Sequence, residues 1–377
     1  MSTELKALVM AVGTVSLFTF SVFIVSFVFS FIAVALILKL SLQNRWFDRM
    51  SERKIHTGDV PRLGGIGFAL VFLLVAAGIL LFTADAVSDL HYLPCLIALF
   101  IILAFGVVDD FISLAPRYKL LVQLIAALIV IIPGFTFNRI SYLGMGFLPE
   151  SLGFMITLLW IVGLSNAINL IDGIDGLAGG LSLIIAMFFG IIFSFYGITP
   201  QKLLFCIALI GVLGGFLSFN APMPKAKIFM GDGGSQFLGF ILALLPLLAT
   251  PGTRASLPVP YAAALLLIPI LDTIAAVWRR IRDRRHIASA DRAHVHHKLM
   301  NLGLSVRGVD AVLYSLQIVL GVLVFVSVSL DGPASLYVLG SAYITGIGFF
   351  SAVHFLNRAV QKKSGLQEIP VNTTFTN

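Results

Sequence analysis

Residues 7–38 run for 32 positions without one charged side chain. At the α-helical rise of about 1.5 Å per residue, such a run reaches roughly 48 Å, beyond the roughly 30 Å hydrocarbon core of a bilayer. It reads as one long tilted helix. It also reads as a retained anchor, because the apolar part of a cleavable signal peptide is normally only about 7 to 15 residues long. Ten further apolar runs follow, at about 64–83, 92–108, 120–135, 151–165, 177–196, 203–219, 235–250, 257–278, 311–330 and 334–356. The chain is 59% hydrophobic, 11% charged and has a mean hydropathy of +1.02, which excludes a soluble domain, where about 25% of residues are charged. The expected fold class is all-α: a polytopic transmembrane bundle of about eleven helices. Residues 1–356 form one integral-membrane domain and 357–377 a flexible cytoplasmic tail. Several runs are shorter than the about 20 residues of a straight span, so their ends extend into flanking motifs or lie inside the bundle. Cys95 and Cys206 sit within apolar runs and lack CxxC or zinc spacing, so buried packing is their expected role.

Eleven spans place every second loop on the side of the C-terminus, and the basic residues divide unevenly between the two faces. One face carries twenty-one Lys and Arg; the other carries four, Lys6, Arg139, Lys202 and Arg254. The positive-inside bias makes the first face cytoplasmic, with the N-terminus outside and the C-terminus cytoplasmic. The polar motifs all emerge on that face: "RKIHTGDVPRLGG" (53–65), "VVDD" (107–110), "NAINLIDGIDG" (166–176), "FMGDGGS" (229–235) and "DRAHVHHKL" (291–299). One site at the membrane surface, fed from the cytoplasm, is the economical reading.

Each motif carries its own chemistry. Asp109 and Asp110 end the third run, with Lys119 ten residues after Asp109 and Gln123 one helical turn further on. Neighbouring carboxylates repel unless a cation, a proton or a phosphate-bound metal compensates them; the plainer alternative is a solvated loop with a helix-capping Asp. Asn166, Asn169, Asp172 and Asp175 recur every third residue, and Gly173 and Gly176 argue against an unbroken helix. These side chains should line a helix end that unwinds, offering the oxygens that Mg²⁺ and a nucleotide require. Asp232 stands among Gly231, Gly233 and Gly234 before the eighth run, where backbone N–H groups and the positive helix end favour anionic oxygens. Phe229 offers a ring face for a base. Eight basic residues and the histidines His286, His294, His296 and His297 lie between Arg279 and Arg307. Phosphate or sugar contact suits them better than zinc, since the surrounding charge opposes a dication, while His286 and the arginines of 279–285 suit lipid headgroups. Asp272, inside a run, should reach the cytoplasmic cleft or pair with an Arg.

Taken in order, "PRLGG", "VDD", "NAINLIDGIDGLAGG", "FMGDGGS", "PILDT" and "DRAHVHHKL" resemble the motifs of the polyprenyl-phosphate N-acetylhexosamine-1-phosphate transferases. The likeness covers nearly the whole chain. "PILDT" and "DRAHVHH" are more similar to the undecaprenyl-phosphate GlcNAc-1-phosphate transferase branch than to the phospho-MurNAc-pentapeptide translocase branch, whose consecutive histidines Val295 would interrupt. The resemblance implies transfer of a sugar-1-phosphate from a UDP-sugar to undecaprenyl phosphate, releasing UMP and starting a lipid-linked cell-envelope glycan. It implies Mg²⁺, with Mn²⁺ as the alternative ion, on Asn169 and Asp232. Asp109, with Asp110 beside it, would bind or deprotonate the lipid phosphate, and Asp172, His294 and His297 complete the implied catalytic set. Phe229 would stack on uracil with Asp175 nearby, while Lys119, Gln123, Asn166, His296 and Arg292 would hold substrate. The implied partners are the UDP-sugar, the polyprenyl phosphate, membrane lipid and a second copy of the chain, with no nucleic acid. The implied location is the bacterial cytoplasmic (inner) membrane.

Three alternatives stay open. The sugar could be another UDP-N-acetylhexosamine, and transfer could run through an aspartyl-phosphate instead of direct attack. A secondary transporter also carries broken helices and acidic residues, but its sites belong near mid-membrane at a repeat interface. A CDP-alcohol phosphotransferase is disfavoured because Leu177, Ala178 and Gly179 follow Gly176 where its motif needs an Arg.

Overall fold

The computed structural model describes residues 3–47, 60–82, 89–138, 148–195, 200–221, 225–248, 257–286, 291 and 293–363. Among these, thirteen α-helices make up the protein: α1 (Thr3–Gln43), α2 (Gly64–Phe82), α3 (Leu93–Ile112), α4 (Pro116–Ile131), α5 (Glu150–Ile171), α6 (Leu177–Phe195), α7 (Pro200–Asn220), α8 (Gly231–Leu244), α9 (Val259–Leu265), α10 (Leu267–Arg282), α11 (Val295–Asn301), α12 (Val306–Ser329) and α13 (Pro333–Lys363). No named strand occurs among the described residues. Among the described residues, helix falls on each of the eleven apolar runs. Eight helices are long and apolar enough to cross a membrane, or nine if α9 and α10 count as one bent span. The two that fall short are α4, with 16 residues, and α8, with 14, which a 3₁₀ turn over Leu245–Leu247 prolongs. The last helix continues past 356 to Lys363, and the remainder of the expected tail lies outside the described residues.

Packing follows from small residues that let helices approach. α8 is buried along almost its whole length, between α2, α3 and α5. At its N-terminus the chain comes so close to its neighbours that a Cβ on Gly106 would lie 2.3 Å from the Gly233 Cα, and one on Gly65 would lie 2.2 Å from the Gly234 Cα. In a bilayer, where tails are as apolar as leucine, such close backbone contact is a main source of helix association. Polar groups inside are spent on backbone acceptors: Trp160 Nε1 donates to Ala243 O at 3.0 Å, joining α5 to α8, and Ser30 Oγ donates to Val212 O at 2.7 Å, joining α1 to α7.

The single run expected at 257–278 is two helices, bent by 87°. Pro269 has no N–H to give the Leu265 carbonyl four residues earlier, so the ladder breaks there. Gln317 Nε2, from α12, donates to that carbonyl at 2.9 Å instead. The bend redirects α10 so that its buried face carries Asp272.

Gly106→Val should overpack the α3–α8 contact, for which a core cost of about 1–3 kcal/mol is usual. A lowered thermal unfolding midpoint in detergent is the expected result, whereas Gly78→Ala, whose Cβ would meet nothing within 4 Å, should not lower it.

Candidate active site

Ends of α3, α4, α5 and α8 bring the acidic motifs together. Asp109, 2% exposed, accepts at Oδ1 from the Leu114 N–H at 2.8 Å, and its Oδ2 lies 2.5 Å from Lys119 Nζ. Lys119, in the first turn of α4, also reaches Asp232 Oδ2, in the first turn of α8, at 2.6 Å. One ammonium thus bridges carboxylates from two helices. Burial would lower the Lys119 pKa, but Asp232 and Asp109 outweigh it and hold the ammonium above the ordinary lysine value. Burial would likewise raise the Asp232 carboxyl, yet Lys119 and the hydrogen bonds of Asp109 and Asn169 keep it below the usual range.

Asp110 faces elsewhere. Its Oδ1 accepts from the Asp232 N–H at 2.8 Å and its Oδ2 from the Gly233 N–H at 3.1 Å. Arg62 backs it, with Nε 3.6 Å from Oδ1 and a donor bond to the Asp110 backbone carbonyl at 3.1 Å. The carboxylate therefore caps α8 from a neighbouring helix, where Met230 supplies no side-chain cap of its own. This corrects one expectation: these two amides of α8 are engaged by a protein carboxylate instead of facing an anionic ligand.

Asn169, in the last turn of α5, donates from Nδ2 to Ser235 Oγ at 2.8 Å and lies 3.4 Å from Asp232 Oδ1. One turn back, Asn166 donates to Gln123 Oε1 at 2.7 Å and to Val162 O at 2.8 Å, and Gln123 donates to Gln236 Oε1 at 3.1 Å. Gln123 is 1% exposed. Asp109 and Asp232 thus share Lys119, and Asn169 adjoins Asp232, while Gln123 and Asn166 form an amide layer that ties α4, α5 and α8 together.

The helix unwinds where the sequence placed the break. Asp172 occupies the C-cap position of α5, and Gly176 takes a φ of +88°, a region that suits only glycine well. Burial raises the Asp172 carboxyl to about 7, helped by the charges of Asp232, Asp110 and Asp175. Asp175 Oδ2 accepts from the Ala226 N–H at 3.0 Å. Asn220 fastens the turn further: its Oδ1 accepts from the Gly176 N–H at 2.9 Å and its Nδ2 donates to Ile228 O at 3.0 Å, while Tyr314 OH donates to Gly176 O at 2.6 Å. Phe229 follows, half-buried, its N–H on Pro61 O at 2.7 Å and its carbonyl accepting from the Gly64 N–H at 2.9 Å.

On the other side of this turn stands the histidine motif. Asp272, 2% exposed, accepts from the Val295 N–H at 2.8 Å and pairs with His294 Nδ1 at 2.7 Å; its partner is this imidazole, while Arg279 pairs with Asp291 at 2.6 Å. The His294 and His296 rings lie parallel with centroids 5.9 Å apart, and His297 lies 4.3 Å from His296. His296 presses on the unwound turn, since a Cβ on Gly173 would come within 2.4 Å of its Nε2. Burial, then the charge of His297, lowers His296 to about 3, so it is a neutral imidazole at physiological pH. Arg292 lies outside the described residues, as do residues 53–59. Among the described residues no group of three His, Cys, Asp or Glu side chains is arranged to hold an ion.

Sequence reasoning assigned no role to Arg62, Asn220, Ser235, Gln236 or Tyr314. Arg62 and Ser235 stood inside quoted motifs. Asn220 and Tyr314 bond backbone atoms of a remote turn and leave no local signal.

Residues 92–250 match the model of glycosyl transferase family 4. The chain is 34% identical over 322 residues, 84% of its length and 87% of the relative, to a probable undecaprenyl-phosphate N-acetylglucosaminyl 1-phosphate transferase of Bacillus subtilis (strain 168). It is 31% identical over 299 residues (76% of this chain, 77% of the relative) to an undecaprenyl-phosphate alpha-N-acetylglucosaminyl 1-phosphate transferase of Salmonella typhi. To the protein of that name in Escherichia coli (strain K12) it is 29% identical over 307 residues, 78% of each chain. A polytopic helical bundle with this cluster at its helix ends is thus a membrane-embedded transferase. The chain belongs to glycosyl transferase family 4.

Because the folded state holds a proton on Asp172 up to about pH 7 while the free carboxyl releases it near 3.8, folding stability falls as pH rises between those values. Asp172→Asn removes that loss. Its unfolding midpoint minus that of the wild type should be most positive near pH 8 and shrink on acidification toward pH 4; a difference that does not vary with pH contradicts the assignment.

Proposed function

We propose that this protein transfers a sugar-1-phosphate, with N-acetylglucosamine-1-phosphate favoured by its relatives, from a UDP-sugar to undecaprenyl phosphate. UMP leaves, and a lipid-linked cell-envelope glycan begins. The observation that carries the reading is the ammonium of Lys119 held between Asp109 and Asp232, beside Asn169. Phosphoryl transfer asks for positioning and charge neutralisation more than for a covalent catalyst, and this cluster supplies both.

The donor set suits a hard dication. Mg²⁺ typically takes one or two carboxylates and completes its shell with water and substrate phosphate oxygens. Asp232, whose side chain is 41% exposed, and Asn169, which lies beside it with Nδ2 3.4 Å from Asp232 Oδ1, would hold it, the latter through its carboxamide oxygen; Mn²⁺ would use the same donors. When bound, the ion would neutralise the diphosphate oxygens. Lys119, kept protonated by its two carboxylates, adds positive charge beside the phosphate under attack. Asp109 orients the lipid phosphate and takes its proton. Both its oxygens are already engaged, by Leu114 N–H and by Lys119, which favours a positioning base over a phosphorylated nucleophile. An oxygen of the lipid phosphate attacks the sugar-bearing phosphorus, the bond from that phosphorus to the bridging oxygen breaks, and UMP departs with the electron pair. Phe229 and Asp175 flank the nucleobase. His294, fixed through Nδ1 by Asp272, presents Nε2 to the sugar phosphate, and neutral His296 supplies a hydrogen bond without adding charge.

The imbalance of twenty-one basic residues against four supports a site opening to the cytoplasm, an outside N-terminus and an inner-membrane location. Residues 1–356 would act as one catalytic membrane domain.

The test is product release. Purified protein with UDP-N-acetylglucosamine, Mg²⁺ and undecaprenyl phosphate should yield UMP and lipid-linked sugar, and Asp109→Asn and Asp232→Ala should each reduce turnover by at least about a hundredfold, as removal of one charge-stabilising group does elsewhere. Near-normal turnover in either variant removes that residue from the site; sugar flux without UMP would favour a transporter.

A further inference from the structure

Two layers of polar side chains, one helical turn apart, join the same three helices. The first layer belongs to the cluster itself: Lys119 on α4 pairs with Asp232 on α8, and Asn169 on α5 lies beside Asp232. The second layer is made of amides. Gln123 stands four residues after Lys119, Gln236 four after Asp232 and Asn166 three before Asn169, so each lies one turn from its counterpart on the same helix face. Gln123 accepts at Oε1 from Asn166 Nδ2 at 2.7 Å and donates from Nε2 to Gln236 Oε1 at 3.1 Å. Lys119 and Asp232 are 113 residues apart along the chain, and so are Gln123 and Gln236. The helices α4 and α8 therefore carry two rungs in one register.

Adhesion does not account for the second layer. Gln123 is 1% exposed and Gln236 3%, and buried amides are costly unless their hydrogen bonds are made. Hydrogen bonds between side chains of membrane helices add little to association, and α8 is already held to α2 and α3 by backbone contact at the glycines. Direction accounts for it better. A lone rung lets two helices turn about it, whereas two rungs about 5.4 Å apart fix their rotation. On the transfer reading the first layer cannot serve alone, because its ion pair must loosen when Asp232 takes the ion and Lys119 turns to phosphate. The amides have no such duty and keep their bonds.

We infer that Gln123, Asn166 and Gln236 are positioning residues: without touching substrate, they keep Lys119, Asn169 and Asp232 in register while the cluster opens to receive it. This role replaces the substrate contact that the motifs suggested for Gln123 and Asn166. It rests on the transfer reading, so the test measures turnover together with a quantity that needs none. In the full chain in detergent, folded Gln123→Leu should lose about a hundredfold in kcat, the cost of displacing reacting groups by about 1 Å, with KM for UDP-N-acetylglucosamine and for undecaprenyl phosphate unchanged. It should also abolish the coupling of Lys119 to Asp232 in unfolding free energy, obtained from Lys119→Met, Asp232→Asn and the double variant in either background. Gln236→Leu, which removes the acceptor of Gln123, should do the same and decides if Gln123→Leu does not fold. Unchanged kcat in a folded variant overturns the inference and leaves the amides as adhesion alone. A raised KM with unchanged kcat overturns it in favour of a substrate contact, and coupling equal to that in the wild type overturns it too. Wild-type protein that releases no UMP refutes the transfer reading instead, and the coupling still decides whether the amides hold the cluster.

Discussion

Lys119 lies between two carboxylates that belong to different helices, and the site depends on that contact. Asp109 and Asp232 carry like charge in a poorly hydrated setting, where repulsion between carboxylates is strong. Without a shared cation, α3 and the start of α8 would be driven apart. With it, they form an acidic cluster that is compensated but still open on the Asp232 side. Asp110 and Arg62 do complementary work: Asp110 satisfies the first amides of α8, so the helix that carries Asp232 cannot swing independently of the helix that carries Asp109.

The cluster can assemble only because backbones touch. A Cβ at Gly65, Gly106, Gly233 or Gly234 would stand only 2.2 to 2.8 Å from backbone atoms of the facing segment, so side chains there would push α8 away from α2 and α3. The histidine half of the site has a different origin, a proline. Pro269 breaks the span, Gln317 satisfies the freed carbonyl, and the bend turns Asp272 toward His294. His296 then closes against Gly173, so the two halves meet at the one turn where α5 has unwound.

Much of this was legible in the sequence. Apolar runs locate the long helices, because each residue of a span must be apolar or paired, and the unwinding after Ile171 follows from Gly173 and Gly176. Asp109, Lys119, Asn169 and Asp232 stand out in the sequence by their motifs, and the fold brings them together around Asp232. What the sequence leaves hidden depends on partners far away along the chain. Gln123 and Asn166 look like open polar ligands, yet each is bonded to a side chain on another helix. Asp110 looks like the twin of Asp109 and instead caps a helix 122 residues downstream. The bend at Leu266 had a visible cause in Pro269, but hydropathy alone does not distinguish a bent span from a straight one.

A double-mutant cycle on Lys119→Met and Asp232→Asn, read as unfolding free energy in detergent, tests the shared-cation claim most directly. If the ammonium and the carboxylate stabilise each other, the doubly substituted protein should be more stable than the sum of the single losses indicates, by about 1 kcal/mol or more, as contacting residues usually show. Strictly additive losses would mean that the two side chains do not interact in the folded protein, and the cluster described here would lose its centre.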